Sequence, residues 1–242
     1  SVLQTVVPST RVVPEPSAIA AVAALLRGAQ NPLILMGDGV AHSQAQAELV
    51  QLADVLGARV YGVMASELNM PWTHPLYCGL VGHMFGHSSQ RLVADADVVV
   101  ICGTYVFPEV FPLLTNPFRA DAKIIHIDLD PYEIAKNHPI TTGLLSDPKL
   151  TLKALADAVA DSATPAQREA AAGRARAIGE ANQRTLVEAR ARDEAVRDAV
   201  PLHMSAFAAE LARQLPQDTI LFDESLTHFP ELTRWPPPHA TR

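Results

Sequence analysis

Gly37-Asp38-Gly39 stands between the apolar run Pro32-Leu33-Ile34-Leu35-Met36 and a helix-like stretch from about Ser43 to Leu56. Glycines at such a turn remove the Cβ and let an anion approach the backbone, and a following helix N-terminus favours negative charge. The same residues serve equally as a tight turn that only packs. The full dinucleotide fingerprint would need Gly or Ala where His42 stands, so the pattern is incomplete. Asp128 closes the run Lys123-Ile124-Ile125-His126-Ile127-Asp128. A carboxylate there meets a ribose hydroxyl if a nucleotide lies at the sheet's carboxyl edge, and caps a turn if none does. Asp130-Pro131 reads as a turn opener, and Asp147-Pro148 as the cap of a following helix. His74, His83 and His87 raise a metal site but lack a Glu in the required arrangement and a fourth ligand, so backbone or carboxylate partners are expected. Ser66, Ser88 and Ser225 lack the Gly-x-Ser-x-Gly setting of a hydrolase nucleophile. Cys78 and Cys102 lack paired zinc spacing and are expected as buried thiols in a reducing compartment.

These residues need a scaffold. Ser17, after Pro14 to Pro16, is a candidate N-cap for a first helix through Leu26. Pro32–Met36, Ala58–Val63, Asp97–Gly103 and Lys123–Asp128 are short apolar runs that predict buried strands, with a helix from Ser88 to Ala94 between the second and third. Met64 to Gly86 is rich in turn formers and is expected as a long functional loop. Continuous apolar strands alternating with helices imply a parallel sheet covered on both faces. A helix from Leu150 to Val159 follows, then an Ala-, Arg- and Glu-rich stretch, Thr164 to Val196, that reads as a surface helix aided by pairs such as Glu188 with Arg192. After Pro201 a helix from about His203 to Gln214 and a strand at Thr219-Ile220-Leu221-Phe222 open a new α/β pattern.

At 242 residues and 48% hydrophobic, the chain can close a substantial core. A net charge of −7 disfavours a polyanionic partner such as nucleic acid. No apolar run reaches bilayer length and no signal-like segment opens the chain, so a cytoplasmic protein without membrane contact is expected. The absence of Met at position 1 and the finish on Trp235-Pro236-Pro237-Pro238 read as a segment of a longer chain. A nicotinamide dehydrogenase would need the missing glycine and a substrate-domain His or Lys.

Several segments together resemble the thiamine-diphosphate enzymes that include acetolactate synthase, benzoylformate decarboxylase and oxalyl-coenzyme A decarboxylase. They are Asn31 to Gly39, His74 to Leu80, Ala94 to Gly103, Ile125 to Asn137, and Ser146-Asp147-Pro148. The resemblance covers almost the whole chain. It implies a central, Rossmann-like α/β domain over 12–160, a parallel sheet of about six strands flanked by helices. Residues 1–11 would be an inter-domain linker, 161–200 a helical linker, and 201–242 the first elements of a second α/β domain, the diphosphate-binding one.

The resemblance further implies a parent enzyme, a homodimer or homotetramer, that uses thiamine diphosphate and Mg2+ to decarboxylate or ligate a 2-oxo acid. It assigns no catalytic residue and no metal ligand to this chain. Gly37-Asp38-Gly39 with Asn69 downstream imitates the family's metal motif, but Met70 stands where its second amide belongs. In relatives the central domain holds FAD, ADP or nothing. A nucleotide would place phosphates at Gly37, Asp38 and Gly39, touch Met64, Gly82, Gly103 and Thr104, and set its adenosine end at Asp128 and Asp147. Thr104 to Phe107 lacks the arginine of flavin-binding relatives. In the last segment Glu224 and Thr227 would approach the cofactor diphosphate, although Leu226 departs from the pattern. The alternative is a stand-alone FAD- or ADP-binding regulatory module.

Overall fold

The structure is a computed structural model that describes residues 6, 9–63, 65–82, 84–216 and 218–235. Six parallel strands form one sheet: β1 (Pro32–Met36), β2 (Arg59–Val63), β3 (Tyr77–Val81), β4 (Val98–Cys102), β5 (Lys123–Asp128) and β6 (Thr142–Leu145), in the order β3-β2-β1-β4-β5-β6. The helices are α1 (Pro16–Gly28), α2 (Gly39–His42), α3 (Gln46–Leu56), α4 (Gly86–Val93), α5 (Pro148–Ser162), α6 (Pro165–Ala195), α7 (Met204–Gln214) and α8 (Phe229–Arg234).

Alternation along each strand divides the core. Ile34, Met36, Val100, Ile125 and Ile127 meet Leu26 of α1, Leu49 and Leu52 of α3 and Leu155 of α5 on one face. Leu33, Leu35, Val99, Ile101 and Ile124 meet Val93 of α4, Phe107 and Phe118 on the other. Both faces are dry, which is why these strands carry no polar–apolar alternation. Each fully buried Leu or Ile side chain contributes about 1.5–3 kcal/mol of transfer free energy. The strand order reverses between β1 and β4, so their following turns open a crevice at the carboxyl edge.

Four sequence expectations need correction. The helix expected from about Ser43 to Leu56 starts later, at Gln46, because Gln44 turns left-handed at φ 54°, and a separate short helix, α2, precedes it at Gly39–His42. The stretch from Met64 to Gly86 contains β3, an edge strand whose pairing slips beside β2 and whose Gly79 has φ 107°. α1 starts at Pro16, and Glu15 rather than Ser17 is the capping position. Thr219 to Phe222 is not a strand: Phe222 is 94% exposed, and among the described residues no strand pairs with the segment. α6 also differs in detail. It carries ion pairs Arg176–Glu169 and Arg184–Glu180, and among the described residues none joins Glu188 to Arg192.

α6 is bound to the sheet domain along one side. Gly57 caps α3 in the left-handed region at φ 58°, and any Cβ there would strike the backbone of Ala171 in α6. Arg174 donates to the Leu56 carbonyl at 2.6 Å, and Asn182 donates to the carbonyls of Pro75 and Tyr77 at 2.8 and 3.0 Å. At the far end, buried Asp193 accepts from Arg234 at 2.5 Å and from the Trp235 indole at 3.0 Å, which fixes α8 against α6. Trp72 joins the two regions, stacked on Tyr77 at 5.1 Å and edge-on to Phe229 at 5.6 Å.

Candidate functional site at the carboxyl edge

The turns after β1 and β4 touch each other. Gly39 N–H donates to the Gly103 carbonyl at 2.9 Å, and a Cβ on Gly39 would lie 2.5 Å from Gly103 Cα. Gly103 itself needs φ 68°, where an L side chain is disfavoured. The glycines at 37, 39 and 103 thus permit a close approach of two protein backbones. Gly37 N–H donates to Cys102, Val40 N–H to Gly37, and Gly103 N–H to Ile127, all to carbonyl oxygens at 3.0 Å. Ala41 N–H donates to Asn69 Oδ1 at 2.9 Å. A diphosphate arriving here meets none of these donors free.

Asp38 faces the loop after β2. Its carboxylate accepts from Ser66 N–H and Glu67 N–H at 3.0 Å and from Asn69 Nδ2 at 3.1 Å. Asn69 is buried, so its amide is committed on both sides, to Asp38 and to Ala41. The Asp38–Asn69 spacing that imitates a metal motif is therefore an amide–carboxylate clasp. No group of three or more His, Cys, Asp or Glu able to hold a metal exists among the described residues.

A cleft of about 330 Å3 lies beside the β1 turn, lined by Gly39, His42, Ser43, Asp128, Asp130 and Pro148 among others. Asp128 is buried, and burial raises its carboxyl above the ordinary value. One of its oxygens accepts from Asp130 N–H at 2.9 Å, and Asp130 in turn accepts from Tyr132 N–H at 2.9 Å, the expected turn opener. Asp147 accepts from Leu150 N–H at 3.0 Å and so caps α5, as Asp-Pro at this place predicts. Lys149, next to Pro148 of the cleft wall, is spent on the Gln44 carbonyl at 2.7 Å and on Glu48 at 3.3 Å.

The other sequence-selected residues are also engaged within the fold. Gly82 N–H donates to the Ser89 hydroxyl at 3.1 Å, and the Thr104 hydroxyl donates to the Tyr105 carbonyl at 3.0 Å. Glu224 and Thr227 are exposed, on an irregular segment and a single 3-10 turn, far in sequence from the sheet. Met64 and His83 lie outside the described residues. His74 has the expected backbone and carboxylate partners, Leu76 N–H at 3.2 Å and Asp54 at 3.5 Å. Cys102 is buried but Cys78 only partly so, and burial raises both thiols.

Sequence reading gave no role to His126, which organises this edge. It is 2% exposed on β5, accepts from Ala135 N–H at Nδ1 (3.3 Å), and donates from Nε2 to the Thr104 carbonyl at 2.9 Å. That pairing selects the neutral Nε2–H tautomer, and burial lowers the imidazole pKa accordingly. Its only sequence signal is a polar residue inside an otherwise apolar strand, between Ile125 and Ile127.

Residues 19–155, which build this sheet and its turns, match a known family model described as the thiamine pyrophosphate enzyme, central domain. The chain belongs to the thiamine pyrophosphate enzyme family. A sulfoacetaldehyde acetyltransferase of Castellaniella defragrans is 35% identical over 133 residues, 53% of this chain and 22% of that protein. An acetolactate synthase large subunit of Cyanidium caldarium is 29% identical over 131 residues, 54% and 22% of the two chains. The crystal structure of benzoylformate decarboxylase from Polynucleobacter necessarius superposes with a TM-score of 0.72 at 21% identity, covering 97% of this chain and 40% of that one. The chain thus spans less than a quarter of the length of these two relatives. Among the described residues no helix of this central-domain chain is long and apolar enough to cross a membrane.

Proposed function

We propose that this chain is the central domain, with the linker helix and opening elements of the next domain, of a longer thiamine-diphosphate-dependent enzyme that decarboxylates or ligates a 2-oxo acid. The observation that carries this is the match over residues 19–155 together with the 22% share of its relatives that the chain spans. By the resemblance, the cofactor would be held by domains that flank this one. Within this chain Asp223, Glu224 and Thr227 are exposed, and Ser225 N–H is turned onto Asp223 at 2.7 Å, so the segment builds no diphosphate cradle by itself. Thiamine diphosphate, where bound in the longer protein, would supply a nucleophilic thiazolium carbon, with Mg2+ as the counter-charge of its diphosphate. The part of this chain is to set the geometry between flanking domains. Domain limits at about residues 11, 160 and 200 are part of this reading, and the breaks at Pro14, Ala163 and Pro201 are consistent with them.

The reading extends to a homodimer or homotetramer in the cytoplasm; the two free thiols support a reducing compartment, and the net charge of −7 argues against nucleic acid as a partner. The test supplies thiamine diphosphate and Mg2+ to the longer polypeptide and to this chain alone, with pyruvate, benzoylformate and sulfoacetaldehyde as candidate substrates. Product release by the longer polypeptide on at least one 2-oxo acid, and none by this chain, is the expected result. Turnover by this chain alone overturns the proposal. Turnover on sulfoacetaldehyde in the absence of any 2-oxo acid overturns the substrate class.

A further inference from the structure

The Rossmann-like fold implies a nucleoside diphosphate at the crevice between β1 and β4, and the residues present do not fit one. Such a ligand is held by unpaired N–H groups at the glycine turn, with a cation nearby. Here Gly37, Gly39, Val40, Ala41 and Gly103 all direct their N–H groups to protein acceptors. Glycine packs on glycine where the backbone and a phosphate would otherwise meet. The adjoining loop offers two more N–H groups, at Ser66 and Glu67, and both are taken by a carboxylate of the same chain. The cleft beyond is lined by Asp128 and Asp130, with Lys149 already neutralised by Glu48, so its field repels phosphate.

We infer that Asp38 is a built-in anion: its carboxylate occupies the donor set of the β2 loop, and the carboxyl edge of this domain is thereby closed to nucleoside diphosphates, FAD and ADP alike. The geometry behind this is specific. Two backbone N–H groups and one amide NH2 converge on a single carboxylate at 3.0–3.1 Å, which is how proteins hold a small oxyanion. An aspartate one residue into the glycine turn brings that charge in covalently and anchors residues 66–69 over β1. The inference stands on this geometry and does not depend on which reaction the parent enzyme performs.

The experiment is chemical rescue. Wild-type protein and Asp38→Ala are melted in acetate, inorganic phosphate or ADP, each against chloride at equal ionic strength. Wild type should show no shift with phosphate or ADP beyond the chloride control, and should purify without flavin absorbance. Asp38→Ala should melt lower and regain at least half of the loss in acetate or phosphate, because the vacated donors accept an external anion. If Asp38→Ala does not fold, its refolding yield with and without phosphate gives the same readout, and a rise of severalfold is expected. Asp38→Asn, which keeps the volume but loses the charge, should gain little from either anion. An ADP or FAD shift in wild type overturns the inference, as does an Asp38→Ala protein that no anion restores.

Discussion

Replacing His126 should cost more than any other single polar substitution at the carboxyl edge. His126→Ala leaves the Thr104 carbonyl without its 2.9 Å donor, about 2 kcal/mol for a buried acceptor, and removes the longer 3.3 Å bond from Ala135 N–H, about 1 kcal/mol. Loss of the ring from a site only 2% exposed adds about 1 kcal/mol, bringing the total to about 4 kcal/mol against a domain stability of about 5–15 kcal/mol. His126→Gln retains a donor and an acceptor on a flexible stem and should lose about half as much. Urea unfolding at pH 7.5 measures both. Protonation gives a second, independent readout. The folded-state pKa of His126 lies below the ordinary 6.5, so the unfolded chain binds the extra proton first as pH falls. The His126 contribution is therefore fully present above pH 6.5 and declines as pH drops from 6.5 towards the lowered native value. His138, also lowered by burial, acts in the same direction, whereas Asp128, raised by burial, acts in the opposite direction at lower pH. Both remain in His126→Gln, so the difference between its pH slope and that of wild type isolates His126. A His126→Ala protein within about 0.5 kcal/mol of wild type, or an unchanged slope between pH 5.5 and 7.5 in His126→Gln, would refute the assigned bridge.

Three further outcomes are expected. Gly103→Ala should lower the urea-derived stability by more than about 3 kcal/mol, since alanine must adopt φ 68° and its Cβ would lie 2.7 Å from Gly39 Cα. Asp193→Ala should free α8 from α6, because Arg234 and the Trp235 indole lose their shared acceptor; a local cost of about 3 kcal/mol raises trypsin cleavage at Arg234 about 100-fold while the sheet's urea midpoint stays put. An aromatic disulfide reagent should label partly exposed Cys78 slowly and fully buried Cys102 only on unfolding, as burial raises both thiols; prompt double labelling of native protein contradicts this burial pattern.

The interior of the sheet was legible because it is buried on both faces. Leu33 to Met36, Val98 to Cys102 and Ile124 to Ile127 are unbroken apolar runs, and the strand limits read from them are within a residue of those observed. The sheet edges were not legible. Tyr77 to Val81 includes a left-handed glycine and follows two prolines, while Thr142 to Leu145 is four residues long with only Leu144 buried. Thr219 to Phe222 shows the converse, an apolar β-branched start that no strand pairs among the described residues. At the site, Asp147 could be read as a cap and Asp130 as a turn opener because each bonds within three residues. The Asp38 clasp reaches 28 to 31 residues ahead, and His126 bridges residues on both sides of it, so neither leaves a local pattern.

Asn182 has a consequence for solubility. By donating to the carbonyls of Pro75 and Tyr77 it covers part of the outer rim of β3, one open border of the sheet. Trimming the chain after α5 would strip that cover and leave main-chain groups free to pair with a second molecule. A piece ending near residue 163 should therefore assemble edge to edge into β-rich aggregates at concentrations where the longer chain stays dispersed.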